Sequence, residues 1–225
     1  MKEKILFCGY RDWSLEIFRS FSGLCITSDK EFLLAKSPKD LQDSLSSNEI
    51  QTILFIGWSW IIEDDIIDNY NCICLHPSPL PKYRGGSPVQ HQILNDEEES
   101  AVTLFVMDDK VDHGPILWQQ FFNLDGSLDK IFKCISSLGT VGLLDILSRY
   151  KRTGDFGWGE EQDHSKATYY KRRNPEESEI RLQDFQECSA KEIYNKIRAL
   201  QNPYPNAFIR CKDGRKLYLT EACYV

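Results

Sequence analysis

Apolar and polar positions alternate in blocks over the first 150 residues. Four short apolar runs, 4–10 (KILFCGY), 53–58 (ILFIGW), 72–76 (CICLH) and 101–107 (AVTLFVM), are rich in Ile, Val, Phe and Leu, with the length of buried strands. Between them apolar residues recur at helical spacing over 13–21, 30–46, 61–70 and 88–95. Two-faced strands alternating with helices predict an α/β fold: a Rossmann-like open, mostly parallel sheet with flanking helices. Ser87, Pro88 and Gln90 predict a capping box at the last of these helices. Glu63, Asp64 and Asp65 fall in the first turn of 61–70, where carboxylates suit the helix dipole.

After residue 114 the rhythm changes. PILWQQFFNL predicts another strand beside 101–107, and 127–151 carries Ile, Leu and Val at the spacing of one long helix. Residues 153–165 are Gly-rich and polar and read as a linker. They divide a core (1–152) from a small C-terminal extension (166–225) expected to serve acceptor binding or dimerisation. The extension holds a predicted helix at 189–200. Two β-type runs follow, joined through Asp213-Gly214, a hairpin signal. That hairpin is the candidate surface for a homodimer.

Composition narrows the class. The 225 residues are 41% hydrophobic and 12% aromatic, enough for a packed core and against wholesale disorder. No stretch approaches the ~20 consecutive apolar residues of a membrane span, so no membrane role is expected. The formal net charge is −7, which opposes general phosphate neutralisation and hence nucleic-acid binding. The eight cysteines, Cys8, Cys25, Cys72, Cys74, Cys134, Cys188, Cys211 and Cys223, include no C-x-x-C pair and make no zinc spacing with His76, His91, His113 or His164. Reduced, mostly core-filling thiols, a cytoplasmic location and no metal are the expectation.

In an open α/β sheet ligands collect beyond the carboxyl ends of strands. His76 ends an apolar run and enters a loop with Pro77, Pro79 and Pro81, and Pro88 beyond. Such a loop is stiff and short of donors, suited to a rigid wall. Asp112 leaves the next predicted strand in the same way. A carboxylate beside an imidazole fixes its tautomer and prepares it for proton transfer. The alternative is a surface His and a turn-capping Asp. Arg84-Gly85-Gly86-Ser87 is either an anion-receiving loop or a tight turn. There is no G-x-G-x-x-G after the first strand, so a dinucleotide site has no support.

The run Leu75-His76-Pro77-Ser78-Pro79-Leu80-Pro81-Lys82-Tyr83-Arg84-Gly85, with Val111-Asp112-His113-Gly114 further on, resembles the formyltransferases that use N10-formyltetrahydrofolate. Ala167 to Arg173 with Pro175-Glu176, and Ile197-Arg198-Ala199-Leu200 before Pro203 to Phe208, resemble the region after the core in their tRNA and sugar-nucleotide branches. The resemblance implies that His76 and Asp112 are catalytic and that Ser78, Pro79, Leu80 and Pro81 contact the folate. It also implies that Trp60, Ile61 and Ile62, with Asp108, Asp109, Lys110 and Val111, wrap the pterin. Arg84 falls on a ligand-contacting arginine.

One position departs from the family, which has Asn two residues before the histidine. Here it is Cys74, on the same strand face as His76. A thiol is a weak donor for an oxyanion. Either His76, a water or a backbone amide carries the oxyanion, or catalysis is lost, or Cys74, His76 and Asp112 form a thiol-based triad.

For the acceptor, the tRNA branch normally adds a further C-terminal domain and a basic surface, against the acidic balance here. Tyr204 and Phe208 are either core packing or a nucleobase platform, with Arg11 or Arg198 reaching a diphosphate. The expected reaction is formyl transfer to the amine of a nucleotide-linked amino sugar, for a surface polysaccharide. Another small acceptor, water, or folate or nucleotide-sugar binding without turnover are the alternatives.

Overall fold

Successive residues of the strands face two different layers, and this sorts the core. The computed structural model describes residues 2–24, 29–157 and 159–224; Cys25 lies outside them. The chain runs β1 (Glu3–Cys8), α1 (Asp12–Ser22), β2 (Lys30–Ala35), α2 (Pro38–Ser47), β3 (Ile50–Ile56), α3 (Asp64–Asn69) and β4 (Asn71–His76). It continues through β5 (Arg84–Gly85), α4 (Pro88–Leu94), β6 (Glu99–Val106), β7 (Ile116–Asn123) and α5 (Leu128–Thr153). Beyond lie β8 (Tyr169–Tyr170), α6 (Asp184–Glu187), α7 (Ala190–Arg198), β9 (Ala207–Arg210) and β10 (Lys216–Leu219).

Six strands form the main sheet in the order β2-β1-β3-β4-β6-β7. The pairs β2-β1, β1-β3 and β3-β4 are parallel, whereas β4-β6 and β6-β7 are antiparallel. Ile5, Phe7, Leu54, Ile56, Ile73 and Leu75 turn toward α1 and α5. Their neighbours Leu6, Cys8, Ile53, Phe55 and Cys72 turn the other way, against Leu41 of α2 and Ile66 of α3. Cys74 and His76 share the parity of Cys72, so both belong to the α2/α3 side.

The helix expected over 30–46 is two elements. Residues 30–35 (KEFLLA) contain strong helix formers, yet they pair with β1 as the sheet edge, where Lys30 meets Glu3 at 2.5 Å. Tertiary pairing overrides a weak local propensity. The helix begins at Pro38, capped by Ser37 Oγ, which accepts from Asp40 N. The capping box expected at Ser87 and Gln90 does not form. Ser87 is left-handed (φ 54), its Oγ accepts from Arg173 N, and Gln90 reaches Ala199 O. Capping boxes stand instead at Asn174/Glu177 and Ser189/Glu192.

The helix α5 is apolar and long enough to cross a bilayer by length and composition, which a search for unbroken apolar runs does not register. Its apolar face packs on α1, β6 and β7, as a core helix does. Residues 153–165 do not span a gap. Phe156 is buried, Glu160 bridges Ile116, and Gln162 is 5% exposed. The hairpin β9-β10 turns through Asp213-Gly214 and leaves Leu217 and Tyr218 exposed. Among the described cysteines none is in a disulfide. Cys8 and Cys72 are buried, while Cys188, Cys211 and Cys223 are exposed rather than core-filling.

Candidate active site

His76 is the last residue of β4 and is almost wholly buried. Its Nε2 lies 2.8 Å from the Tyr83 carbonyl oxygen. A carbonyl only accepts, so the Nε2 proton is fixed and Nδ1 is the atom left to exchange one. Nδ1 faces Asp112 Oδ2 at 3.5 Å. The sheet does not bring this pair together by parallel neighbours, since β6 runs antiparallel to β4. The loop 107–114 carries Asp112 back to the histidine.

Backbone strain and close packing aim both groups. Tyr83 (φ 62) and Asp112 (φ 49) are left-handed, an arrangement that persists only where the surroundings over-determine it. Tyr83 is held by Thr168 Oγ1, which accepts from its amide, by Glu97, which accepts from its hydroxyl, and by Tyr170 stacked at 5.0 Å. Asp112 Oδ2 accepts from Gly85 N at 2.7 Å. The anion received by the glycine loop is therefore the protein's own carboxylate. Gly114 lets the loop return to the sheet, because a Cβ there would sit 1.9 Å from Val106 O.

Gln162 locks this loop, and nothing local in the sequence marks it. Its Nε2 donates to the carbonyls of Asp112 (3.1 Å) and Gly114 (2.7 Å), and its Oε1 accepts from Arg84 Nε and Nη2. Arg84 is fully buried and also donates to Tyr169 Oη and His164 Nδ1. It is a positioning arginine behind the site, not the ligand contact expected. His164 stacks on His113 at 3.9 Å, and His113 Nδ1 donates to Asp108 Oδ2 at 2.6 Å. Gln162→Leu strands two carbonyls and a buried guanidinium. It is expected to cost roughly 3 kcal/mol of stability, read as a lower urea midpoint at unchanged slope.

The pair opens into a cleft of about 820 Å³. Cys74, His76 and Asp112 lie in its lining with Trp60, Ile61, Ile62 and Asp108 to Val111. Ile61 is 98% and Val111 62% exposed, an unusual state for apolar groups in a cavity wall and one that a flat apolar ligand would relieve. Trp58 Nε1, beside them, is a buried donor without a partner among the described residues. Arg11 and Tyr204 also line the cleft.

Other expected contacts fall elsewhere. Ser78, Pro79, Leu80 and Pro81 are outside the lining. Ser78 Oγ donates to Lys82 O, Leu80 is buried, and only Pro77 and Pro88 of that proline series reach the cavity. Arg198 is buried and donates to Leu124 O, Gly126 O and Asn195 Oδ1, tying α7 to the turn before α5. Phe208 packs against Tyr218 inside the extension. In their place Arg172, Arg173 and Asn174 enter the lining. The basic run Lys171-Arg172-Arg173 was the available signal, and the sequence reads it either as a solvated patch or as a diphosphate contact.

Cys74 is half-buried, and its thiol is pushed well up by burial first, then by the charge of Asp112 and by Cys72. These causes favour the protonated thiol, which makes it a weak nucleophile for a thiol-based triad. No group of three or more metal-ligating side chains occurs among the described residues.

Known proteins share the sequence pattern and fold of this chain. The sequence profile of formyl transferases fits residues 27–130, and that of their C-terminal domain fits 174–225. A methionyl-tRNA formyltransferase of Thermotoga maritima is 33% identical over 176 residues, 76% of this chain and 54% of the relative. The chain thus spans about half the length of that relative. The solved methionyl-tRNA formyltransferase of Clostridium thermocellum superposes with a TM-score of 0.81 at 26% identity, covering 97% of this chain and 98% of the other. A 4-N formyltransferase of Francisella tularensis shares the fold at 18% identity and a TM-score of 0.76, over 99% of each chain. Two profiles matched in chain order, on a fold with the same architecture, establish that this chain belongs to the formyltransferase family.

Proposed function

We propose that this chain transfers a formyl group from N10-formyltetrahydrofolate to the amine of a nucleotide-linked amino sugar. The observation that carries the reading is the Nδ1 of His76 facing Asp112 at 3.5 Å inside a large cleft with an exposed apolar wall. Trp60, Ile61, Ile62 and the backbone of 108–111 would hold the folate, whose part is to present an activated formyl carbon. The orphaned Trp58 donor and the uncovered Ile61 and Val111 fit a flat, partly polar heterocycle.

The acceptor nitrogen forms a bond to the formyl carbon, and the bond from that carbon to N10 breaks. His76 takes the amine proton at Nδ1 and returns it toward N10. The transient imidazolium donates to Tyr83 O on one side and faces the Asp112 carboxylate on the other. The amine must be neutral to attack, so the site needs such a proton acceptor. Gly85 N keeps Asp112 turned toward the ring.

A second reading, an aminoacyl-tRNA acceptor, is favoured by the names of the relatives. The net charge of −7 weighs against an extended nucleic-acid surface, and an arginine cluster confined to the cleft fits a small anion. Tetrahydrofolate release from N10-formyltetrahydrofolate is measured against UDP- and dTDP-linked 3- and 4-amino sugars and methionyl-tRNA. Release that requires one sugar is expected. Release with methionyl-tRNA alone selects the second reading, and release without any acceptor indicates a hydrolase.

A further inference from the structure

Three arginines from two parts of the chain line the cleft. Arg11 follows β1, and Arg172 and Arg173 follow β8; all three are in the lining. Arg11 donates to Ser59 Oγ at 3.5 Å, and Arg172 donates to Ser59 O at 3.2 Å, so both guanidinium groups are drawn to one residue. Tyr10 Oη donates to the same Ser59 Oγ at 2.8 Å. Tyr204 joins them. Its phenol is pushed up by burial, and the charges of Arg11 and Arg172 both reach it.

Three arginines pair with a carboxylate among the described residues, and none of them is at the cleft. Arg149, Arg210 and Arg215 pair with Asp145, Glu176 and Asp213. The partners of Arg11, Arg172 and Arg173 are uncharged oxygens: Ser59 Oγ, Ser59 O and Glu177 O. The Glu177 carboxylate, whose charge also acts on Arg173, accepts from Asn174 N in the capping box. Arg173 Nε is buried with no partner among the described residues. The remainder of the cleft is net negative, with Asp64, Asp108, Asp109 and Asp112 against Lys110.

We infer that Arg11, Arg172 and Arg173, with the hydroxyl of Tyr204, form the subsite for the phosphate groups of the acceptor, of the nucleoside diphosphate class. This rests on the proposed transfer to a nucleotide-linked amine and assigns which end of that molecule goes where. Planar guanidinium forks bind phosphate oxygens in pairs, and their charge is undischarged until an anion arrives. The bipolar cleft then orients the acceptor, phosphates at the arginine end and amine toward His76 and Asp112. Of the two arginines expected to reach a diphosphate, Arg11 keeps that role, and Arg172 and Arg173 take the place of Arg198.

Calorimetric titration of the full chain with inorganic pyrophosphate, UDP and dTDP tests the assignment, with Arg11→Gln, Arg172→Gln and the double variant in parallel. Wild-type binding of UDP or dTDP is expected, weakened about tenfold by each single change and about a hundredfold by both. Tetrahydrofolate affinity, read from tryptophan fluorescence, should stay within about twofold, because the flat ring is held by other groups. Variants that bind nucleoside diphosphates like the wild type overturn the subsite, as does a wild-type chain that binds none of the three probes. Variants that lose tetrahydrofolate instead assign these arginines to the glutamate carboxylates of the folate and also overturn it. Arginine-dependent binding of methionyl-tRNA without nucleotide binding does the same in favour of RNA. A chain that binds UDP through these arginines but not tetrahydrofolate keeps the subsite and removes the formyl donor.

Discussion

His76→Ala is expected to slow acceptor-dependent tetrahydrofolate release by about 10³-fold, within the range for losing a positioned proton-transfer group. The loss should fall on kcat, with KM for the folate changed by no more than about threefold, because the imidazole acts as the amine adds and contributes little to ground-state binding. Asp112→Asn should cost about 10²-fold for a related reason. It keeps the shape of the side chain but removes the charge that faces the protonated ring, and an amide oriented by Gly85 N cannot replace it. The two losses are expected to be far from additive, since the aspartate acts through the histidine. Single-turnover release rates for the two variants and the double variant measure this, alongside thermal melting to show that each chain is folded. Full additivity would separate the pair into independent groups and break the proposed relay.

The pair was legible in the sequence for a physical reason. A histidine that ends an apolar run must sit where a strand emerges from the core, and ligands collect there, whereas Asp112 reaches it through the loop 107–114 and not from the end of β6. The two-layer core was legible on the same terms, since β1, β3 and β4 carry apolar residues on both faces. The edge strand β2 was not. It is paired along one edge only, its residues KEFLLA carry little β preference, and the Ser37-Pro38 break inside the expected helix was the one local warning. The supports of the site were illegible for a different reason. Arg84 reaches Gln162 across 78 positions, and its neighbours in sequence, a glycine loop after a proline-rich run, are those of a ligand contact. A guanidinium satisfied by an amide, a phenol and an imidazole leaves no pattern of charge in the sequence to find. Arg198 misleads in the same way, because its partners Leu124 and Gly126 are backbone carbonyls.

Cys74→Asn is expected to raise the rate of transfer by about 10²–10³-fold, the amount that a single donor is worth where one has been removed from an oxyanion hole. The strand places residue 74 two positions before His76 on the same face, and both line the cleft, so an amide there would point at the oxygen that gains charge as the amine adds. The thiol cannot do this work well. It is a poor donor, and burial together with the Asp112 charge favours its protonated form, which is a weak nucleophile. Space favours the exchange, since Cys74 is only half-buried and, although it packs against the layer of Cys72, also borders the cavity. The gain should appear in kcat with the KM of both substrates little changed, because the oxyanion exists only in the transition state. Pre-steady-state release kinetics of the wild type and the variant, with the acceptor identified by the sugar panel, measure it. A rate that stays flat would mean that another donor already fills the role and that the site was rebuilt around the thiol. A rate that falls would mean that Cys74 is part of the working arrangement.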